Sequence, residues 1–327
     1  MKGAPAAFVL SAGLGTRLAP LTDLLPKPLI PVFHKPLVTF ALDALIAAGV
    51  GDIALNTHHL PETFPGVFGE APAYRGRPLR FFHEPLLLDT GGGIRNARPA
   101  LGNEAFLLHN GDILADLPLA DLIAVHGASG CLATLLLRPE GSGGKANVRF
   151  DPGTSRITDL RGSLAPESGI PVIYTGIAMI DPEIFRWIPA EGRYSVVDSL
   201  IEAMRSGLPV AGLLAGEGLW MDLGTPAAYL EAHRILSNPV RRPGYLTGLG
   251  GLRGEWPSAV DPSARIDPSA TLEGMVSIGP ASVIGEGAVI SDSVLWPGSV
   301  VEAGSRVHGC VVSGRAPVRG IVEGGVA

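Results

Sequence analysis

Along the first two thirds of the chain, apolar and polar positions follow two rhythms. Apolar runs at Phe8-Val9-Leu10 and Ile53-Ala54-Leu55, and apolar-rich segments at Leu79 to His83, Ala105 to His109, Val172 to Ile180 and Val210 to Leu214, read as strands. Between them, Leu37, Phe40, Ala41, Ala44, Leu45 and Ala48 recur at helical spacing, with Gly49 as a stop. Val196 to Arg205 and Pro226 to Leu236 repeat that spacing, and Leu219 to Gly224 adds a short extended segment. Strands alternating with helices predict right-handed βαβ units and a mostly parallel sheet, a Rossmann-like α/β domain over residues 1–238. Gly141 to Gly169 is richer in Gly, Ser and short alternating segments and reads as an antiparallel excursion.

The rhythm then changes. Residues 239–257 are rich in Pro and Gly without periodicity and read as a linker. Beyond them Val260, Ile266, Leu272, Ile278, Ile284 and Ile290 recur every six residues, and a second register runs through Val283, Val289, Leu295, Val301 and Val307. Six-residue periodicity predicts hexapeptide repeats wound into a short left-handed parallel β-helix over residues 258–314. Residues 315–327 read as a tail. A short stack with open ends favours self-association, so a homo-oligomer is expected.

Composition narrows the class. Hydrophobic residues make up 46% of the chain and charged residues 17%, enough to build a sizeable core and too apolar for a disordered chain. The net charge of −6 argues against a general nucleic-acid binder. Cys131 and Cys310 lack metal-ligand spacing and read as buried free thiols of a reducing compartment. No secretory leader and no membrane-length apolar run are evident, so a cytoplasmic protein without a membrane partner is expected.

The chemistry begins where the first strand feeds Gly13-Leu14-Gly15-Thr16-Arg17. Gly13 and Gly15 let backbone N–H groups approach an anion, Thr16 adds a hydroxyl donor, and Arg17 adds a planar fork suited to phosphate oxygens. Pro26 and Pro28 stiffen the chain on either side of Lys27. These features describe a polyphosphate cradle, although the P-loop pattern is absent and Leu18 stands where a dinucleotide fingerprint needs a third Gly. Asp112, at the end of Asn110-Gly111-Asp112, is placed to hold Mg²⁺ against triphosphate oxygens. Asp222 lies directly before a helix; Thr225, followed by Pro226, is the better helix cap, which leaves Asp222 for a metal. Glu84 precedes Asp89-Thr90-Gly91-Gly92-Gly93, where bare backbone could lie against a flat base ahead of a helix starting near Ile94. The eight histidines form no zinc-binding pattern, and Ser195 lacks nucleophile-elbow glycines.

G-x-G-T-R-L-x-P-L-T followed by P-K-P-L resembles the signature of the sugar-1-phosphate nucleotidyltransferases, and W-x-D-x-G-T at Trp220 to Thr225 and the Asn-Gly-Asp segment extend the likeness over about residues 5 to 236. The Glu-Pro and triple-glycine form is most similar to the N-acetylmuramate-1-phosphate uridylyltransferases and mannose-1-phosphate guanylyltransferases. The resemblance implies transfer of a nucleoside monophosphate from a nucleoside triphosphate to a sugar 1-phosphate with Mg²⁺, the substrates being mannose 1-phosphate with GTP or N-acetylmuramate 1-phosphate with UTP. It assigns catalysis to Arg17, Lys27, Asp112 and Asp222, with the metal on Asp112 and Asp222. Nucleotide contacts fall to Ser11, Ala12, Gly13, Gly15, Thr16, Glu84, Gly91 and Gly92, and sugar contacts to Asn147, Thr175 and Gly176. The family's Glu-Lys-Pro segment is replaced by Asp159-Leu160-Arg161, so Arg161 or Lys145 becomes the candidate for the sugar phosphate. Two other readings stay open: a silent subunit that binds a nucleotide sugar, and an acyltransferase working through the β-helix, for which His308 is the only histidine in the repeats.

Overall fold

The computed structural model describes residues 4–165, 167–246 and 256–327. The described residues divide into two compact units: those within 4–13, 41–111 and 115–220 form the first, and those within 14–40, 112–114, 221–246 and 256–327 the second.

The first unit is built on a ten-stranded sheet. Arg77–His83, Ile53–Thr57, Ala7–Leu10 and Phe106–Asn110 lie side by side in that order and run parallel. Ile170–Ile180 then enters antiparallel between Phe106–Asn110 and Ala133–Pro139, and Val210–Leu214 runs parallel to Ala133–Pro139. The expected excursion is the antiparallel pair Val148–Asp151 and Arg156–Leu160. Phe8, Ala54, Phe106, Leu108, Leu135 and Leu137 are buried in one core, as unbroken apolar strands require. The four parallel strands end together, which collects Ser11, Asn56, Glu84 and Asn110 at their carboxyl ends. Helix Val196–Arg205 starts on Ser195, whose hydroxyl accepts the Val197 N–H, so that serine is a cap.

The second unit carries a 3₁₀ turn at Thr16–Leu18, another at Lys27–Leu29, and the pair Pro31–Val32 with Lys35–Pro36. Helix Pro226–Ser237 begins as expected with Thr225 Oγ1 accepting the Ala228 N–H at 3.2 Å, which leaves Asp222 uncommitted to capping.

Its C-terminal part is a parallel β-helix. Arg265–Ile266, Val283–Ile284 and Val300–Val301 stack on one face; Thr271–Glu273, Val289–Ser291, Arg306–Val312 and Ile321–Val326 stack on another. The inward set is Ile278, Ile284, Ile290, Leu295, Val301, Val307 and Val312, so the six-residue count is broken by two five-residue steps, one from Val307 to Val312 and, one coil earlier, one from Ile290 to Leu295. Asp292, at positive φ of 45°, makes the turn inside that step. The expected second register through Val283 and Val289 is therefore not an inward row: both are only partly buried neighbours of inward isoleucines. Of the expected tail, Ile321–Val326 is a strand paired in parallel with Arg306–Val312. Of the expected linker, Pro239–Arg241 and Gly244–Leu246 form 3₁₀ turns, and 247–255 lie outside the described residues. Among the described residues no helix is long and apolar enough to cross a membrane.

Candidate active site

In the first unit, the loop after Ala7–Leu10 is held by a buried polar chain. Asn56 Oδ1 accepts the Ser11 N–H at 2.6 Å, and Asn56 Nδ2 donates to Glu84 Oε1 at 2.8 Å. Glu84 Oε2 accepts the Leu88 N–H at 2.9 Å. Asn56 and Glu84 are both buried, Glu84 completely. Every partner is thereby satisfied, as burial demands. Ser11 and Ala12 are buried, whereas Gly13 is exposed and a Cβ there would meet only open space, so its backbone is accessible to a ligand. At Gly111, by contrast, a Cβ would stand 2.7 Å from Ser11 Oγ.

Glu84, expected among the nucleotide contacts, has both carboxylate oxygens engaged within the fold. The triple glycine differs as well. Gly91, Gly92 and Gly93 lie inside helix Asp89–Asn96, and all three are buried. A Cβ on Gly91 would meet the Tyr194 and Val196 backbone at 3.0 Å, and one on Gly93 would meet Asn56 Nδ2 and Glu84 Oε1 at 2.9 Å. Their missing side chains make room for the protein's own backbone and side chains.

Around the expected sugar contacts, the strand Ile170–Ile180 breaks register between Tyr174 and Ala178. Gly176 adopts φ +83° and packs on Asn110, where a Cβ would come within 2.4 Å of Nδ2. Thr175 Oγ1 donates to the Leu136 carbonyl at 2.8 Å, and Trp220 Nε1 donates to the Thr175 carbonyl at 2.9 Å. Asn147 Oδ1 accepts the Tyr174 N–H at 3.0 Å. Asn147, Thr175 and Gly176 are thus brought together with Asn110 and Trp220. Arg161 pairs with Asp198 at 2.9 Å and reaches Ser195 Oγ at 3.2 Å, while Lys145 is exposed.

The second unit gathers the four charged candidates. Lys27 Nζ is 2.8 Å from Asp112 Oδ2 and 2.8 Å from Asp222 Oδ1, and Arg17 Nη2 is 3.2 Å from Asp222 Oδ2. The Lys27 side chain is only 5% exposed, against 37% for Asp112 and 42% for Asp222. Burial alone would push the Asp222 carboxyl up; the Lys27 ammonium and then the Arg17 guanidinium outweigh it and hold the carboxyl below its ordinary value. Gly15 caps the turn carrying Arg17 at φ +64°, and Thr22 Oγ1 donates to its carbonyl at 3.2 Å. Thr16 is exposed beside it. A Cβ on Gly224 would press on Arg17 Nη2 at 2.5 Å, so the W-x-D-x-G-T glycine seats that guanidinium.

Among the described residues no group of three or more His, Cys, Asp or Glu converges on one point. Two carboxylates meeting on a single ammonium are nonetheless a hard-oxygen pair of the kind Mg²⁺ uses together with water and substrate phosphates. The donor set fits such an ion.

Residues 6–238 match the Nucleotidyl transferase family and residues 255–323 match the GMPPB C-terminal domain, so the chain belongs to the nucleotidyl transferase family. Among curated relatives, N-acetylmuramate alpha-1-phosphate uridylyltransferase of Neisseria meningitidis is 32% identical over 238 residues, covering 70% of this chain and 97% of that protein. Mannose-1-phosphate guanylyltransferase of Mycobacterium tuberculosis is 30% identical over 252 residues, 76% of this chain and 68% of the relative. UTP–glucose-1-phosphate uridylyltransferase of Synechocystis is 28% identical over 268 residues, 74% of this chain and 69% of the relative. The fold is shared with a UDP-glucose pyrophosphorylase solved with UDP-glucose, at a TM-score of 0.59 and 18% identity, over 70% of this chain and 97% of that one.

Asn56, Asn110 and Trp220 are the residues that the sequence reading did not single out for the site. The signal was available for two of them: Asn110 and Trp220 stand inside the segments that supplied Asp112 and Asp222, while Asn56 follows directly on an apolar strand run.

Proposed function

We propose that the protein is a sugar-1-phosphate nucleotidyltransferase. The observation that carries this reading is the cluster in which the Lys27 ammonium lies between the Asp112 and Asp222 carboxylates with Arg17 beside them. A phosphate oxygen of the sugar 1-phosphate attacks the α-phosphorus of a nucleoside triphosphate in line. One P–O bond forms, the α–β bridging bond breaks, and its electron pair leaves on pyrophosphate. No covalent enzyme intermediate is needed, so the protein's work is positioning and neutralisation of charge.

Arg17 grips the departing phosphates. Lys27 holds the α-phosphate or the incoming phosphate, and the exposed backbone at Gly13 with Gly15 and Thr16 lies along the triphosphate. Asn147, Thr175 and Gly176 bind the sugar. Asp112 and Asp222 would hold Mg²⁺, which when bound supplies charge neutralisation and orientation of the phosphates. The substrate pairs put forward are N-acetylmuramate 1-phosphate with UTP and mannose 1-phosphate with GTP; the names of two relatives agree with them, and a third relative is a glucose-1-phosphate uridylyltransferase.

The test is pyrophosphate release with Mg²⁺, pairing UTP, GTP, dTTP, CTP and ATP in turn with mannose, glucose, N-acetylglucosamine and N-acetylmuramate 1-phosphates. Release that depends on one base and one sugar is expected. Silence across the panel with tight binding of a nucleotide sugar would overturn the proposal in favour of a regulatory subunit.

A further inference from the structure

The compact unit that contains Arg17, Lys27, Asp112 and Asp222 also contains the whole β-helix. Two buried side chains join them. Trp296 follows the inward-facing Leu295 and so points away from the β-helix core by strand alternation, yet it is only 3% exposed. Its indole Nε1–H donates to Tyr229 Oη at 3.0 Å, on helix Pro226–Ser237. The Tyr229 side chain is fully buried, and its hydroxyl donates to the Pro31 carbonyl. Pro31 directly follows the tight turn that starts at Lys27, closed by Leu29 N–H to the Pro26 carbonyl at 2.8 Å and Ile30 N–H to the Lys27 carbonyl at 3.3 Å.

The same helix holds the other end of this segment. His233 Nε2 accepts the Phe33 N–H at 3.2 Å while His233 Nδ1–H donates to the Tyr229 carbonyl at 3.0 Å, an arrangement only the neutral ring can make. Burial pushes the His233 pKa down to about 4, so the ring stays neutral near pH 7. Residues 31–33 are thereby clamped at both ends. An exposed pair, Arg315 with Asp23 at 3.7 Å, adds a contact from the last coil to the loop between Arg17 and Lys27, but such a pair contributes little.

We infer that the β-helix is a structural part of the catalytic unit, and that Trp296 and Tyr229 are positioning residues that fix Lys27 through the Pro31 carbonyl. The inference rests on the reading of Lys27 as a phosphate-binding catalytic group. A fully buried hydroxyl that both accepts and donates has no slack: removing it leaves the indole N–H and the Pro31 carbonyl without partners and frees the turn to move. A short displacement of a preorganised charge is enough to slow phosphoryl chemistry while the protein stays folded.

The experiment compares full-length Tyr229→Phe and Trp296→Phe with Val307→Ala, which opens a cavity in the β-helix core at a site 1% exposed that makes none of the relay's hydrogen bonds. Turnover, KM and amide hydrogen exchange are read well below each variant's melting temperature. Tyr229→Phe is expected to lower kcat about tenfold or more with the KM for sugar phosphate within about twofold, and to speed exchange over residues 27–33. Trp296→Phe should do the same more weakly, and Val307→Ala should lower the melting temperature while leaving kcat and that exchange unchanged. A folded Tyr229→Phe with wild-type kcat and exchange overturns the inference, as does a Val307→Ala that slows turnover equally. A wild-type chain silent with every substrate pair refutes the function and leaves the exchange of the substrate-free variants to decide the relay.

Discussion

Lys27→Met offers two measurements of opposite sign on one residue. The ammonium makes two charge-assisted hydrogen bonds at 2.8 Å, each worth about 1.5–3 kcal/mol when dry. The two carboxylates are 37% and 42% exposed, so solvent screening reduces each to nearer 1 kcal/mol. Removing the ammonium should therefore cost about 2 kcal/mol and lower the melting temperature by roughly 5 °C, because Asp112 and Asp222 lose the cation that they share. The same vacancy favours a divalent cation. In the wild-type chain a metal ion must displace an ammonium that already bridges both carboxylates; in the variant it need not. Affinity of the substrate-free chain for Mn²⁺, titrated by the loss of its free EPR signal, should rise about tenfold, or about 1.4 kcal/mol. Saturating Mn²⁺ should return the lost melting temperature. Turnover should still fall at least about a hundredfold, since the phosphate contact is gone. Mn²⁺ binding no tighter than wild type would refute the placement of the metal on these two carboxylates, independently of whether the substrates have been found.

Four shorter expectations follow from the same geometry. Arg17→Ala or Asp112→Asn should lower kcat at least about a hundredfold in the pyrophosphate assay, the scale of one preorganised charge contact, and near-normal turnover would remove that residue from the mechanism. Gly224→Ala should lower kcat about tenfold without unfolding, because its Cβ would stand 2.5 Å from Arg17 Nη2 and tilt an otherwise exposed guanidinium off its seat. Two groups make stability fall on acidification, in different pH ranges. Asp222, with its folded pKa depressed, contributes stability that is present above 3.8 and lost as pH falls through the lower folded value. His233, neutral in the fold down to about 4 but ready to take a proton at 6.5 when unfolded, should lower stability by on the order of 2 kcal/mol between pH 6.5 and 5, visible as a falling urea midpoint that His233→Gln abolishes. Finally, light scattering of the full chain should give a dimer or larger species, since the last strand Ile321–Val326 ends the β-helix with Ile321 70% exposed; a monomer mass would refute assembly through it.

Much of this molecule is legible in one dimension because it is local. The helix Val196–Arg205, the strand Val210–Leu214 and the cap at Thr225 follow from spacing and from the chemistry of a residue and its next few neighbours. What was not legible depends on partners far away in the chain. Gly91-Gly92-Gly93 looks like bare backbone awaiting a ligand until the Tyr194 to Val196 backbone, about a hundred residues on, is found pressed against it. Glu84 likewise reads as a free carboxylate because nothing near it in sequence shows that Asn56 spends one amide group on it and the other on Ser11. The hexads gave away the β-helix but not its register, because two neighbouring apolar residues fit either row and only closure of the coil decides which turns inward.

The separation of the chain into a catalytic domain and an appended repeat is itself a one-dimensional reading. Lys27 meets Asp222 across 195 residues, and Trp296 meets Tyr229 across 67. These contacts place the loop with Arg17 and Lys27 in the same compact unit as the β-helix, while the sheet that precedes and follows that loop packs by itself. A repeat added only for assembly would have no need to bury a tryptophan that donates to a tyrosine whose hydroxyl ends on the Pro31 backbone, just past the turn that starts at Lys27. Substitutions on the outward face of the β-helix should therefore fall into two groups, those that change oligomer mass and those along the Trp296 to Pro31 path that change turnover, and the two groups should not overlap.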